Sequence, residues 1–248
     1  MGSARVGKTA YLAALIDFLG RENAKKKLFP LVMGTLEDEK GNFFRENILK
    51  AYQAGKPIEK TNISNEEMVP LASFLLEVCG KKVIVTFIDM PGEAYSPDEK
   101  EATNEKYDFI ANKRRACKNA SAYILCIAPE QIDMVIKEKE KGGADSAADD
   151  IDKILENIAH SVKLVNMKSA ETPTAVVLTK SDKIKDYNFY DPNERFEDLI
   201  EVNEEGQFFL ADKYLRITEE IGEYLDAGHV KPVEGKIKSI FDKFNYFT

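Results

Sequence analysis

The stretch that decides the fold is a glycine-containing loop at residues 2–9, Gly2-Ser3-Ala4-Arg5-Val6-Gly7-Lys8-Thr9. It matches the pattern G-x-x-x-x-G-K-[ST], in which successive backbone N–H groups surround a phosphate. We expect Lys8 to reach the outer phosphates and the Thr9 hydroxyl to ligate magnesium. The apolar run at residues 10–19 predicts a mostly buried helix that ends near Gly20, and the positive end of its dipole favours phosphate. The sequence therefore predicts a P-loop whose eight residues all contribute to nucleotide binding.

The rest of the chain alternates apolar strand patterns with longer helical patterns. Strand patterns cover residues 71–79, 83–88, 122–127 and 175–178, and Gly80-Lys81-Lys82 between the first two suits a hairpin. Helical patterns cover residues 38–54, 103–118, 150–167, 207–226 and 234–244. This alternation predicts an α/β fold of the P-loop NTPase type, with a mostly parallel sheet and helices on both faces. We expect a single domain over residues 1–248, with a helical insert at about 28–60 and extra helices at about 185–244.

The two ends of the chain are unusual for this fold. A P-loop normally leaves the end of a buried strand, yet only Met1 precedes Gly2. At the other end, Phe244-Asn245-Tyr246-Phe247-Thr248 is typical of a strand that opens after a helix. We therefore expect a fragment that lacks its first strand and is truncated at its last, or a chain that borrows strands from elsewhere.

Composition argues against several classes of function. The net charge of −8 and the pI of about 5.1 leave no global basic surface, so no nucleic-acid partner is expected. No apolar run approaches the roughly 18 residues of a membrane span, and we expect a cytoplasmic protein without an integral membrane segment. Cysteines 79, 117 and 126 are widely spaced, as free thiols are in a reducing compartment, and histidines 160 and 229 lack metal-ligand spacing.

A second candidate motif is Asp89-Met90-Pro91-Gly92, which fits D-x-x-G. Asp17 to Gly20 and Asp38 to Gly41 also fit the pattern, but only Asp89 follows a strand pattern. That position would carry its carboxylate to the carboxyl edge of the sheet, where ligands bind in such folds. Asp89 is therefore predicted to hold magnesium through water, and the Gly92 N–H to meet a γ-phosphate.

A third candidate motif is Thr179-Lys180-Ser181-Asp182, which resembles the [NT]-K-x-D base-recognition motif of GTPases. It also follows a buried strand pattern. Asp182 can accept protons from N1 and the N2 amino group of guanine, which adenine does not offer, and the alkyl stem of Lys180 can lie along the base or ribose. Thr179 stands where Asn is commoner, which leaves open how the loop is braced.

The three motifs in this order resemble the TRAFAC class of P-loop GTPases over residues 2–182, and the long insert and Asp-Met-Pro-Gly-Glu are similar to bacterial double-GTPase proteins. The resemblance implies GTP and GDP as ligands, with Mg²⁺. It also implies a switch threonine that completes the magnesium shell, for which Thr61 is the best-placed candidate and an ordinary loop threonine the alternative. Glu93 stands where Ras-like proteins place the glutamine that positions the attacking water, so Lys8, Thr61 and Glu93 are the expected catalytic residues.

Taken together, the sequence predicts a magnesium-dependent GTPase switch whose output is a surface for a protein effector or activating partner. Because a carboxylate at Glu93 repels a γ-phosphate, we expect slow intrinsic hydrolysis. Arg5 either approaches the β- and γ-phosphates or faces solvent or a partner. Two rivals stay open, namely an ATP-dependent P-loop NTPase, in which residues 179–182 are incidental, and a non-hydrolysing GTP-binding scaffold.

Overall fold

The structure is a computed structural model of the 248-residue chain. It describes residues 2, 6–25, 32–35, 44–58, 71–78, 81–88, 120–132, 155–156, 159, 171–184, 200–202, 208–210, 212–226 and 233–247. The chain divides into two compact units. We call Lys8–Pro91 the hairpin unit, and Met1–Gly7 with Gly92–Thr248 the parallel-sheet unit.

The hairpin unit opens with helix α1, Lys8–Lys25. Its apolar side chains Leu12, Ala13 and Ile16 lie on one face and are buried, as helical spacing predicts. The helix continues past Gly20, where the sequence placed its end. Glycine in a helix costs only about 1 kcal/mol relative to alanine, and the Arg21 guanidinium, 2.8 Å from the Asp17 carboxylate one turn earlier, supports the extra turns.

The predicted amphipathic helix at 38–54 is confirmed where the structure describes it. A π-helix, Phe44–Leu49, leads into helix α2, Lys50–Gln53, and residues 38–43 lie outside the described ranges. Phe44 and Ile48 pack into the cluster formed by the buried face of α1. The helix ends as predicted at Gly55, whose φ is +63°. The Gly55 N–H donates to the Tyr52 carbonyl at 3.0 Å and the Lys56 N–H to the Ala51 carbonyl at 2.9 Å, which is the Schellman arrangement.

An antiparallel sheet in the order β1-β2-β3 completes the hairpin unit. Its strands are β1, Val32–Thr35, β2, Leu71–Val78, and β3, Lys81–Ile88. The predicted pairing of the last two is confirmed, but Lys81 and Lys82 belong to β3, so the connection is shorter than expected. Strand β1 lies in the segment for which a helical insert was expected, and its four residues hold their place by pairing with β2.

The parallel-sheet unit contains three parallel strands in the order β4-β5-β8. They are β4, Tyr123–Ile127, β5, Thr174–Leu178, and β8, Phe244–Phe247. Four of the five residues in each of β4 and β5 are buried, as is usual for parallel strands covered on both faces. These strands confirm the predicted α/β fold with a parallel sheet, and the strand expected to open at Phe244 is present. The carboxyl ends of β4 and β5 meet at one edge.

Helical segments accompany these strands in the described part of the unit. Helix α3, Pro129–Ile132, follows β4, and a 3₁₀-helix, Ser181–Lys183, follows β5. Helix α4, Asp212–Asp226, and helix α5, Glu234–Ile240, precede β8. The Tyr214 hydroxyl of α4 donates to the Tyr246 carbonyl of β8 at 2.6 Å, which ties the helix to the sheet. Of the helix predicted at 150–167, the structure describes Leu155, Glu156 and Ala159, and all three are helical. The helix predicted at 103–118 lies outside the described residues.

Two predicted helix boundaries are wrong. Residues 208–210 were assigned to a helix starting at 207, but Phe208–Leu210 is strand β7, paired antiparallel with β6, Ile200–Val202. The helix begins at Asp212, whose carboxylate suits the positive end of the helix dipole. The last helix, expected to reach residue 244, ends at Ile240, because Phe241 adopts extended backbone and Phe244 joins the sheet.

The end of α2 offers a test of the fold with a matched control. A Cβ at Gly55 would meet no atom within 4 Å, so Gly55→Ala adds only the strain of a positive φ. We expect the variant to lower the free energy of unfolding by about 1 kcal/mol in urea titration.

Gly235 is the control, because it lies inside α5 with equally open space and without a positive φ. Gly235→Ala should leave stability unchanged or raise it by about 0.5–1 kcal/mol. Equal effects of the two substitutions would contradict the backbone assigned to Gly55.

Candidate functional site

Gly2 of the first motif lies beside the carboxyl end of β4. Gly2 is buried with φ +130°, and a Cβ there would lie 2.6 Å from the Cys126 carbonyl oxygen. Gly7 has φ +87°. Both backbone conformations strain any residue with a side chain, and at Gly2 a side chain also has no room. Glycine is therefore favoured at both positions by the positive φ, and at Gly2 also by the close approach of the Cys126 carbonyl.

The hairpin unit begins with the charged end of the same motif. Lys8 and Thr9 are the first two residues of α1, and both are half-buried. The first N–H groups of a helix have no partner within it, and the first turn of α1 contains no acidic residue that would offset the positive end of the dipole. These features fit an anion such as a nucleotide phosphate. Ser3, Ala4 and Arg5 lie outside the described residues.

Thr179 joins the first motif to the third. It follows β5 directly, is 8% exposed, and donates its N–H to the Ile127 carbonyl at 2.9 Å. Its hydroxyl oxygen lies 2.5 Å from the Val6 carbonyl oxygen and 3.1 Å from the Ile127 carbonyl oxygen. A hydroxyl has one proton to donate, and the shorter contact is with Val6. The Thr179 hydroxyl thus links the start of the third motif to the backbone of the first.

Lys180 has the left-handed backbone conformation, with φ 54° and ψ 35°. Among the described residues other than glycine, none besides Lys180 has a positive φ. The conformation costs about 1–2 kcal/mol for such a residue, and strain of this size is concentrated at functional sites. The Lys183 N–H donates to the Lys180 carbonyl at 3.1 Å and the Ile184 N–H to the Ser181 carbonyl at 3.0 Å. Together these bonds form a tight turn that places Asp182 in solvent.

Glu130 is a site residue that the sequence analysis missed. It lies in α3, is 7% exposed, and accepts a hydrogen bond from the Lys180 ammonium through Oε1. The same oxygen lies 3.5 Å from the Lys183 ammonium. The Ala128 N–H donates to the Gln131 side chain at 2.8 Å and fixes the turn that leads into α3. An acidic residue three positions after a buried strand was the signal available in the sequence, and it did not belong to a known motif.

The electrostatics of Glu130 follow from its two lysines. Burial alone would raise the pKa of the Glu130 carboxyl, but the hydrogen bond from Lys180 and the charges of Lys180 and Lys183 outweigh it and hold the pKa below the ordinary 4.5. Because the pKa is lower in the folded chain, the stabilisation is fully present above the ordinary value. It is lost as the pH falls through the lower folded value. At neutral pH the carboxylate is ionised.

The structure brings together Gly2, Val6, Gly7 and the loop that begins at Thr179. A Cβ at Gly7 would lie 3.7 Å from the Thr179 Cβ, so the first and third motifs are close together at these residues. Thr61, Asp89, Gly92 and Glu93 lie outside the described residues, and their roles stay predictions. Within the described ranges, no group of three or more His, Cys, Asp or Glu side chains forms a metal site.

Comparison with known proteins identifies a family. A family model described as Double-GTPase 2 matches residues 1–217 of the 248. Searches of curated proteins and of solved structures gave no significant match. The matched range contains the loop at residues 2–9, the D-x-x-G segment at 89–92 and the base-recognition segment at 179–182. None of the helices in the described part of the chain is long and apolar enough to cross a bilayer.

The brace at Thr179 is tested by removing its hydroxyl. Thr179→Val keeps the branched shape but leaves the buried Val6 carbonyl without its partner, and we expect a loss of about 1–3 kcal/mol in the free energy of unfolding. Thr179→Ser, which retains the hydroxyl, should lose less. Urea titration measures both.

Thr174→Val is the matched control, since it removes the hydroxyl of another buried threonine, at the start of the strand that Thr179 follows. That hydroxyl donates locally to the Thr172 carbonyl at 3.1 Å. Only Thr179→Val should weaken nucleotide binding. If Thr174→Val weakens it equally, the link between the two loops is not what supports the site.

Proposed function

The chain belongs to the Double-GTPase 2 family, whose members are GTP-binding proteins, and from this premise we propose that it is a magnesium-dependent GTPase switch. One observation supports the proposal above the others. The Thr179 hydroxyl of the base-recognition segment lies 2.5 Å from the Val6 carbonyl of the P-loop. The bond joins the two segments across 173 positions of sequence, as expected if both belong to one nucleotide site.

We assign the phosphate side of GTP to the loop at residues 2–9. The loop N–H groups and the start of α1 provide donors, and Lys8 provides a positive charge for the β- and γ-phosphates. The buried Gly2, which has no room for a Cβ beside the Cys126 carbonyl, and Gly7 fit a loop that wraps closely around a phosphate. Thr9, Thr61 and Asp89 are the residues that would hold Mg²⁺, which screens the phosphate charges when bound.

We assign the guanine base to the segment at 179–182. Asp182 is exposed in a tight turn, so its carboxylate is accessible to accept two protons from one edge of guanine. Lys180 contributes its alkyl stem. The ATP-dependent alternative leaves this arrangement without a purpose.

In this proposal Glu93 and Thr61 act on the reacting phosphate. Gly92 donates its N–H to the γ-phosphate, Thr61 belongs to the segment at about 55–65 that GTP orders, and Glu93 lies in the second such segment at about 92–105. A carboxylate at residue 93 accepts a hydrogen bond from water but repels the phosphoryl group, which makes intrinsic hydrolysis slow. GTP then presents a surface to a protein effector, and hydrolysis to GDP withdraws it.

Substitution of Asp182 tests which nucleotide base the chain prefers. Asp182→Asn replaces a charged acceptor with an amide whose NH₂ opposes the guanine N2 amino group, and GTP affinity should fall by about 2–4 kcal/mol. Xanthine carries an oxygen at that position, so the variant should gain affinity for XTP. Competition binding of GTP, XTP and ATP measures the reversal.

Asp242→Asn provides the control, because Asp242 is exposed and the substitution makes the same change of charge outside the site. It should leave all three affinities unchanged. A parent protein that prefers ATP would overturn the guanine assignment and favour the ATP-dependent alternative, as would an Asp182→Asn variant that loses all three nucleotides equally.

Glu93 separates a slow GTPase from a non-hydrolysing scaffold. Glu93→Gln should preserve or raise the single-turnover rate because it removes the repulsion, whereas Glu93→Ala should lower the rate if the side chain positions water. Parent protein that binds GTP and shows no hydrolysis over hours would favour the scaffold. Identical rates in all three proteins would remove Glu93 from the mechanism.

A further inference from the structure

The ammonium of Lys180 is bound by a buried carboxylate from a different element. Glu130 lies in α3 after β4, and Lys180 follows β5, 50 positions later in the sequence. The Glu130 side chain is 9% exposed, against 32% for that of Lys180. The pair therefore connects the ends of two neighbouring parallel strands at the carboxyl edge of the sheet.

The same carboxylate reaches both lysines that enclose the recognition residue. Lys180 and Lys183 stand on either side of Ser181 and Asp182, and both ammonium groups approach Glu130 Oε1. The Lys183 N–H also donates to the Lys180 carbonyl at 3.1 Å. The turn is therefore closed twice, by this backbone hydrogen bond and by the contacts of both lysine side chains with Glu130. Asp182 is presented from this doubly closed turn.

Stability alone is a poor explanation for this arrangement. Burying a carboxylate is costly, and a buried ion pair commonly contributes little net stability compared with apolar side chains of similar size. Glu130 Oε2 is moreover buried and has no hydrogen-bond partner among the residues that the structure describes. Lys180 is thus constrained at its backbone by the left-handed conformation and at its ammonium by Glu130.

Ordering the lysine in advance has a consequence for binding. A free lysine side chain loses rotamer freedom when it packs along a ligand, and that loss opposes binding. Here the backbone of Lys180 is fixed by the turn and its ammonium is fixed by Glu130. The four-carbon stem between them is therefore set before a base arrives.

We propose that Glu130 is a positioning residue for base recognition, which holds Lys180 and Lys183 so that the Lys180 stem and the Asp182 carboxylate are preorganised for guanine. The inference rests on the proposed function, because it concerns the base side of the same site. Glu130 does not touch the nucleotide; it acts through the two lysines.

The test compares the base side of the site with the phosphate side. Glu130→Ala should raise the Kd of GTP about tenfold and reduce the preference for GTP over ATP. The Kd of inorganic tripolyphosphate, which has no base, should change less than twofold. In steady-state hydrolysis KM should rise while kcat is retained.

Two further variants make the result specific. In a background that carries both Lys180→Ala and Lys183→Ala, the effect of Glu130→Ala should largely disappear, because Glu130 acts through these two lysines. Glu46→Gln is the control, since it removes the carboxylate from another glutamate–lysine pair, with Lys50, that is exposed and lies in the hairpin unit. It should leave GTP and tripolyphosphate binding unchanged.

The possible failures are distinguishable. If the parent protein shows no preference for guanine, the proposed function fails. If the parent prefers GTP but Glu130→Ala keeps that preference, or loses GTP and tripolyphosphate equally, the positioning role of Glu130 is overturned. Should Glu130→Ala not fold, Glu130→Gln retains the volume and one acceptor, and the same comparison of GTP with tripolyphosphate decides in that variant.

Discussion

The hydrogen bond between the Thr179 hydroxyl and the Val6 carbonyl connects the first and third candidate motifs. The local shape of the first motif depends on two glycines with positive φ, and that of the third on a tight turn after β5. Neither feature determines the distance between the two motifs. The Thr179 N–H bond to Ile127 fixes residue 179 to the adjacent strand, and the hydroxyl then fixes the P-loop to residue 179.

This brace depends in turn on the parallel sheet. Because β4 and β5 pair in register from Tyr123 with Thr174 to Ile127 with Leu178, their carboxyl ends are level. Residues just after the strands are therefore brought together at one edge, as is general for ligand sites in α/β sheets. Thr179 and Glu130 both occupy such positions. The sheet supplies the placement, and the side chains that follow it supply the chemistry.

The sequence predicted the parts of the fold that rest on local pattern. Strands β4 and β5 were expected within one residue of their observed bounds, since short apolar runs bounded by polar residues are typical of buried strands. Strands β6 and β7, of three residues each, were missed because their pairing with one another stabilises them, not a pattern within either. The motif at 179–182 was found for its residue types, but Glu130 was not, because its role depends on which lysines the sheet brings near it.

The brace between Thr179 and Val6 also bears on the order in which the site forms. Its two residues are 173 positions apart, and the entropy cost of closing so long a loop must be met before the contact stabilises anything. The helices and the β2–β3 hairpin need only local closure. During synthesis, a ribosome-bound chain has residues 2–9 long before β5 emerges, yet their hydrogen bond to Thr179 must wait until then. The link between the first and third motifs is thus a late event in the life of the nascent chain.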